Sequence, residues 1–159
     1  MNPQNPFLAI DHVQLAMPVG AEGTARRFYC DVLGMQEIPK RADMLKKGGV
    51  WFQSGDLQIH LGCETDFHAA VKAHPGLRCK DYDALVARLS ENGFDPVDDN
   101  RIPGPRRCHI HDPFGNRLEL TAPSERALAG RMLGAWELPR PCQRTNSVTS
   151  KRRASGSRG

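Results

Sequence analysis

Apolar and polar residues alternate from Ile10 to Met17. Val13, Leu15 and Met17 fall on one side, and His12, Gln14 and Ala16 on the other, which is the period of a half-buried strand. Pro18 and Gly20 close it. The period then changes. Ala25, Phe28, Tyr29, Val32 and Leu33 recur at helical spacing and predict a helix over 22–33, with Gly34 as its stop. Three short strands are expected next, around 36–39, 49–53 and 57–61, with Gly55-Asp56 as the turn between the last two.

The second half repeats this order. A strand is expected over 74–79. Asp81-Tyr82-Asp83 starts a helix that buries Leu85, Val86 and Leu89 and stops at Asn92-Gly93. Strands follow at 94–97, 107–111 and 117–120, the last two joined by a turn at Pro113-Phe114-Gly115-Asn116. Counting supports a duplication: His12 precedes His60 by 48 residues, and His74 precedes Glu119 by 45. In each pair the first residue opens its half and the second sits in the closing strand. The fold class expected is α+β, two βαβββ modules forming a cupped mixed sheet around a metal site. The domain is expected over 7–122, with modules at about 7–63 and 74–122.

Composition changes the picture mainly beyond that domain. Of a net charge of +4, residues 126–159 carry eight Lys or Arg against one acid, or +7, which leaves −3 for residues 1–125. A short helix is expected over 123–135, with Ser124 able to cap it and Gly134 beyond its end. The segment 136–159 is basic and rich in Ser, Arg, Pro and Gly, and reads as a disordered tail. Lys151-Arg152-Arg153 is a solvated run there, and nucleic acid is not an expected partner. The five cysteines form no CxxC pair and are expected as reduced thiols. No run reaches the roughly 18 apolar residues of a membrane span. The first residues lack a secretory pattern, so a cytoplasmic address is the expectation.

Four residues recur at matching places in the two halves: His12, His60, His74 and Glu119. If the opening and closing strands lie side by side, these four can point into one concave face. Imidazole and carboxylate together suit a divalent ion such as Zn²⁺, Ni²⁺, Mn²⁺, Fe²⁺ or Co²⁺, and two His with one carboxylate leave positions open for substrate oxygens. A single strand histidine is more often a packing or surface residue. It is the repetition that favours a site. His109 and His111 share a strand face, and Arg106 and Arg107 follow Pro103-Gly104-Pro105, where a guanidinium can hold an anionic group or simply be solvated.

Ile10-Asp11-His12-Val13, then Arg27-Phe28-Tyr29-Cys30-Asp31-Val32-Leu33-Gly34, then Asp112-Pro113-Phe114-Gly115-Asn116-Arg117-Leu118-Glu119-Leu120, resemble the vicinal oxygen chelate superfamily. That group holds glyoxalase I, fosfomycin-resistance thiol transferases, extradiol dioxygenases, methylmalonyl-CoA epimerases and bleomycin-binding proteins. The resemblance covers about residues 7–122, and DPFGN followed by LEL is its most specific part. It implies that His12, His74 and Glu119 are metal ligands. At His60 glyoxalase I has glutamate and the epimerases glutamine, so His60 stands as a fourth ligand, a general base or a passive face residue. The place of His109 resembles one lining the substrate cavity in the fosfomycin-resistance enzymes, so His109 and Arg107 are the candidate substrate-binding residues. A small-molecule substrate and a homodimer are further implications. The functional expectation is a metal-dependent lyase or isomerase, with dioxygenase chemistry as a variant. The alternative is a metal-free protein that binds a small molecule or sequesters an antibiotic.

Overall fold

The computed structural model describes residues 6–123. The first half runs through β1 (Val13–Pro18), α1 (Glu22–Arg26) with a π-helical turn Arg27–Val32 continuing it, β2 (Gln36–Ile38), β3 (Val50–Ser54) and β4 (Leu57–Glu64). The second runs through β5 (Gly76–Arg78), α2 (Tyr82–Glu91), β6 (Val97–Asp98), β7 (Arg107–His111) and β8 (Arg117–Thr121). Two four-stranded sheets result, ordered β1-β4-β3-β2 and β5-β8-β7-β6. In each, the opening strand lies parallel to the closing strand and the other pairs are antiparallel. The expected α+β pair of βαβββ modules is therefore the observed architecture.

Strand alternation decides what each sheet buries. On β7 and β8, Cys108, Ile110, Leu118 and Leu120 turn into the core, while Arg107, His109 and Glu119 face the other way and are partly exposed. Phe52, Ile59, Leu61 and Met17 do the same for the first sheet. Each such side chain contributes roughly 1.5–3 kcal/mol when fully buried. The helices cover the core face. Asp81 caps α2 by accepting from the Ala84 amide at 3.1 Å, a contact worth about 1 kcal/mol.

The helix expected over 22–33 is not uniform. It is α-helical to Arg26 and then widens, with Leu33 N–H donating to Phe28 C=O at 2.9 Å, five residues back. The wider turn lets the consecutive residues Phe28, Tyr29 and Cys30 all be buried. Gly34 ends it with a positive φ of 74°. Two strands are shorter or displaced. Within the stretch expected over 74–79 the strand proper is Gly76–Arg78, with bonds to β8 on either side, from Glu119 N–H to the Pro75 carbonyl at 3.0 Å and from Cys79 N–H to the Thr121 carbonyl at 2.8 Å. The strand expected at 94–97 appears at Val97–Asp98, because Phe94 packs instead on Phe28 with ring centroids 4.7 Å apart. A 3₁₀ helix at Ala42–Lys47 has no buried residue and left no periodic signal.

The modules are joined through their helices and loops. Arg88 on α2 donates to the Leu33 carbonyl at 3.3 Å, and Asn116 donates to the Ala16 carbonyl on β1 at 2.8 Å. Among the described residues no helix is long and apolar enough to cross a membrane, and Cys30, Cys63, Cys79 and Cys108 form no disulfide. The helix expected over 123–135 and the basic tail over 136–159 lie essentially outside the described residues.

Candidate metal centre

Register places the candidate residues. Across the second sheet Glu119 on β8 faces His109 on β7 and Gly76 on β5. His74 lies two residues before Gly76. In the first sheet His60 on β4 faces Trp51 on β3 and Gln14 on β1, and His12 lies two residues before Gln14. The duplication thus sets His74, Glu119 and His109 in the places that His12, His60 and Trp51 hold in the other module.

The second trio gathers. One ligand atom from each of His74, His109 and Glu119 lies within 4.8 Å of the other two. Glu119 Oε2 is 3.4 Å from His109 Nε2 and 3.8 Å from His74 Nε2. Its other oxygen is occupied: Thr121 Oγ1 donates to Oε1 at 3.3 Å and Arg107 Nη1 stands 3.5 Å away. So one carboxylate oxygen is held in place and the other faces two imidazoles. His74 Nδ1 is 2.8 Å from the Lys72 carbonyl, and Arg117 Nη2 packs 2.7 Å from both. Two contacts compete for this nitrogen: an Nδ1–H donating to Lys72 bares the Nε2 lone pair toward Glu119, whereas an Nδ1 accepting from Arg117 puts the proton on Nε2.

These donors fit a divalent ion. A tetrahedral shell with bonds of about 2.1 Å holds its donors about 3.4 Å apart, close to the two separations observed. The three side chains are partly exposed, which leaves a route for a small molecule.

His12 is not part of that group. Its ring stacks on His60 with centroids 4.2 Å apart, and its Nδ1 is 2.8 Å from Asp11 Oδ2. His60 is buried, stacks on Trp51 on its other side at 4.1 Å, and has Nε2 3.2 Å from Gln58 Oε1. Burial first, and then the neighbouring His12, hold the His60 pKa below the ordinary histidine value. The two trios stand on either side of the seam between modules, where His12 and Gly76 line one cavity of about 140 Å³. Arg106, the other candidate anion binder, is engaged on the surface by Asp83 at 2.7 Å.

Sequence reasoning placed His109 as a cavity residue, and the structure sets it against Glu119. It missed Asp99, a buried acid whose Oδ2 is 3.8 Å from His109 Nδ1. Hydrogen bonds from Arg101 hold this carboxyl well below the usual range. Burial and the nearby Arg117 lower the His109 pKa, against the pull of Glu119 and Asp99. Nothing in the run from Asp95 to Asp99 distinguishes this acid in the sequence.

A strand-opening histidine and a closing-strand glutamate on paired βαβββ modules define a metal-competent glyoxalase-like fold. Residues 9–120 match the family model of the Glyoxalase/Bleomycin resistance protein/Dioxygenase superfamily, and the chain belongs to that superfamily. It is similar to a solved structure described as a glyoxalase family protein from Bacillus anthracis, with 42% identity and a TM-score of 0.72, covering 75% of this chain and 98% of that one. An antibiotic binding protein from a Streptomyces species is 26% identical, with a TM-score of 0.57 and coverage of 74% and 100%. A genomically encoded fosfomycin resistance protein from Listeria monocytogenes shares the fold at 16% identity, with a TM-score of 0.57 and coverage of 76% and 98%. A search of curated proteins found no match.

Proposed function

We propose that this protein is a metal-dependent enzyme acting on a small substrate that presents adjacent oxygens, by proton transfer of the isomerase or lyase type. The observation that carries this reading is the convergence of His74, His109 and Glu119 ligand atoms within 4.8 Å. A divalent ion bound there supplies Lewis acidity toward an oxygen-bearing substrate. His74 and Glu119 would hold that ion, whereas His12, the further ligand that the resemblance implies, stands outside the converging group and stacks on His60.

The remaining residues bind and move protons. Arg107 is mostly buried, and its Nε has no hydrogen-bond partner among the described residues. It is suited to neutralise an anionic substrate group beside Glu119. With Nε2–H of His60 donating to Gln58, the His60 Nδ1 lone pair is the base available on the first module.

A second reading rests on the Trp51–His60–His12 stack, with centroid spacings of 4.1 and 4.2 Å. Such a stack can receive a flat ligand without metal, which matches the alternative of an antibiotic-sequestering protein. Metal titration of the purified full chain, with His12→Ala, His74→Ala and Glu119→Ala beside it, separates the two. The enzyme reading expects about one divalent ion per chain, lost in the His74 and Glu119 variants. A wild-type chain that retains no divalent ion under any reconstitution overturns it and leaves the binding-protein reading.

A further inference from the structure

A metal-facing histidine needs its second ring nitrogen controlled, and at His109 a carboxylate stands 3.8 Å from that nitrogen, at ion-pair distance and beyond direct hydrogen-bond length. Its Nε2 faces Glu119 Oε2 at 3.4 Å, while its Nδ1 faces Asp99 Oδ2 at 3.8 Å. Asp99 is buried and held by hydrogen bonds. Its Oδ1 accepts from the Arg101 amide at 3.1 Å and from Arg101 Nε at 2.8 Å, and its Oδ2 accepts from Arg101 Nη2 at 2.7 Å. The Asp99 backbone is tied as well, with its N–H donating to the Arg107 carbonyl on β7 at 3.0 Å. A fixed anion therefore stands behind the imidazole on the side away from Glu119.

We infer that Asp99, clamped by Arg101, is a positioning residue that makes His109 a third protein ligand of the metal centre. The inference rests on the metal-site reading above. The argument is one of tautomer and aim. A ligand imidazole gives a lone pair from one nitrogen and must keep its proton on the other. A carboxylate behind Nδ1 favours the proton there, leaves Nε2 bare, and raises its basicity as a donor. His109 Nε2 then joins His74 Nε2 and Glu119 Oε2, so one module supplies three donors. The first module offers no counterpart, since Trp51 occupies the place of His109 there.

The test is Co²⁺ binding to the full-length protein, read by titration and by the visible absorption of the bound ion. The variants are His109→Ala, Asp99→Asn and both together. His109→Ala and Asp99→Asn should each weaken Co²⁺ affinity by about 10–100-fold and alter the spectrum. The double variant should be no weaker than His109→Ala alone, because Asp99 acts only through that ring. A purely structural Asp99 would instead give additive losses and leave the spectrum unchanged. Where Asp99→Asn does not fold, Arg101→Gln, a change at an exposed side chain, must weaken affinity by at least ~3-fold by loosening the clamp. Unchanged affinity and spectrum in His109→Ala overturns the inference. If His74→Ala still abolishes binding in that case, the metal-site reading survives. A wild-type chain that binds no Co²⁺ overturns both.

Discussion

The Tyr29 hydroxyl donates to Asp112 Oδ2 at 3.0 Å, joining the π-helical turn of the first module to the turn that precedes β8 in the second. Asp112 is the centre of a knot. Its Oδ1 accepts from the Phe114 and Asn116 amides, each at 2.9 Å, and its Oδ2 also accepts from Asn116 Nδ2. The knot fixes where β8 starts, and so where Glu119 points. The Asp-Pro-Phe-Gly-Asn stretch is thus a framework that aims Glu119 without touching it.

Tyr29→Phe should cost about 1–2 kcal/mol of unfolding free energy, since Asp112 keeps its other donors. Asp112→Ala removes the acceptor for four hydrogen bonds and leaves buried donors unpaired, so it should cost about 3 kcal/mol or more. Denaturant unfolding of the two variants checks the order. A smaller loss for Asp112→Ala would mean that the turn is held by its backbone alone.

Alkaline titration should report the same tyrosine. Burial first, then the charge of Asp112, hold the Tyr29 phenol well above its ordinary value. Burial, with a contact to Cys108, also raises Tyr82. A phenol that keeps its proton in the folded state adds stability below about pH 10 that is lost as the pH climbs past that unfolded value. Ultraviolet absorbance should therefore show no phenolate until the chain unfolds, and Tyr29→Phe should flatten the fall in stability above about pH 10.

On the acid side the histidine stack gives the signal. His60 has its pKa lowered, so the unfolded chain binds its proton more readily. The stability tied to neutral His60 is present above about pH 6.5 and is lost as the pH falls through the lower folded value. Trp51 lies face to face with that ring, and protonation should change its fluorescence with a midpoint below about 6.5. Subtracting the signal of Trp51→Phe isolates the transition. A midpoint above the ordinary histidine value would mean that His60 is paired with an acid instead of desolvated.

Much of this was legible from the chain. The alternation around His12 and through 107–111, the Asp81 cap and the Gly34 and Gly93 stops each rest on contacts within a few residues, and local chemistry specified them. Side-by-side opening and closing strands followed from the duplication. What did not show was decided by distant partners. Burial of Phe28, Tyr29 and Cys30 together turned an ordinary helix into a wider one. Phe94 left its strand for a ring on the other module. Asp99 comes beside His109 only because β6 pairs with β7. His12 had the right residue type and position, but its stacking on His60 could not be foreseen.

The contact between Phe28 and Phe94 also bears on how the duplicated chain behaves as a whole. Each ring uses the opposite half as shelter from water, and Arg88 donates to the Leu33 carbonyl across the same join. The repeats have therefore lost their independence: a backbone cleaved between them would yield two fragments with sticky aromatic flanks, whose shortest route back to order is to find each other.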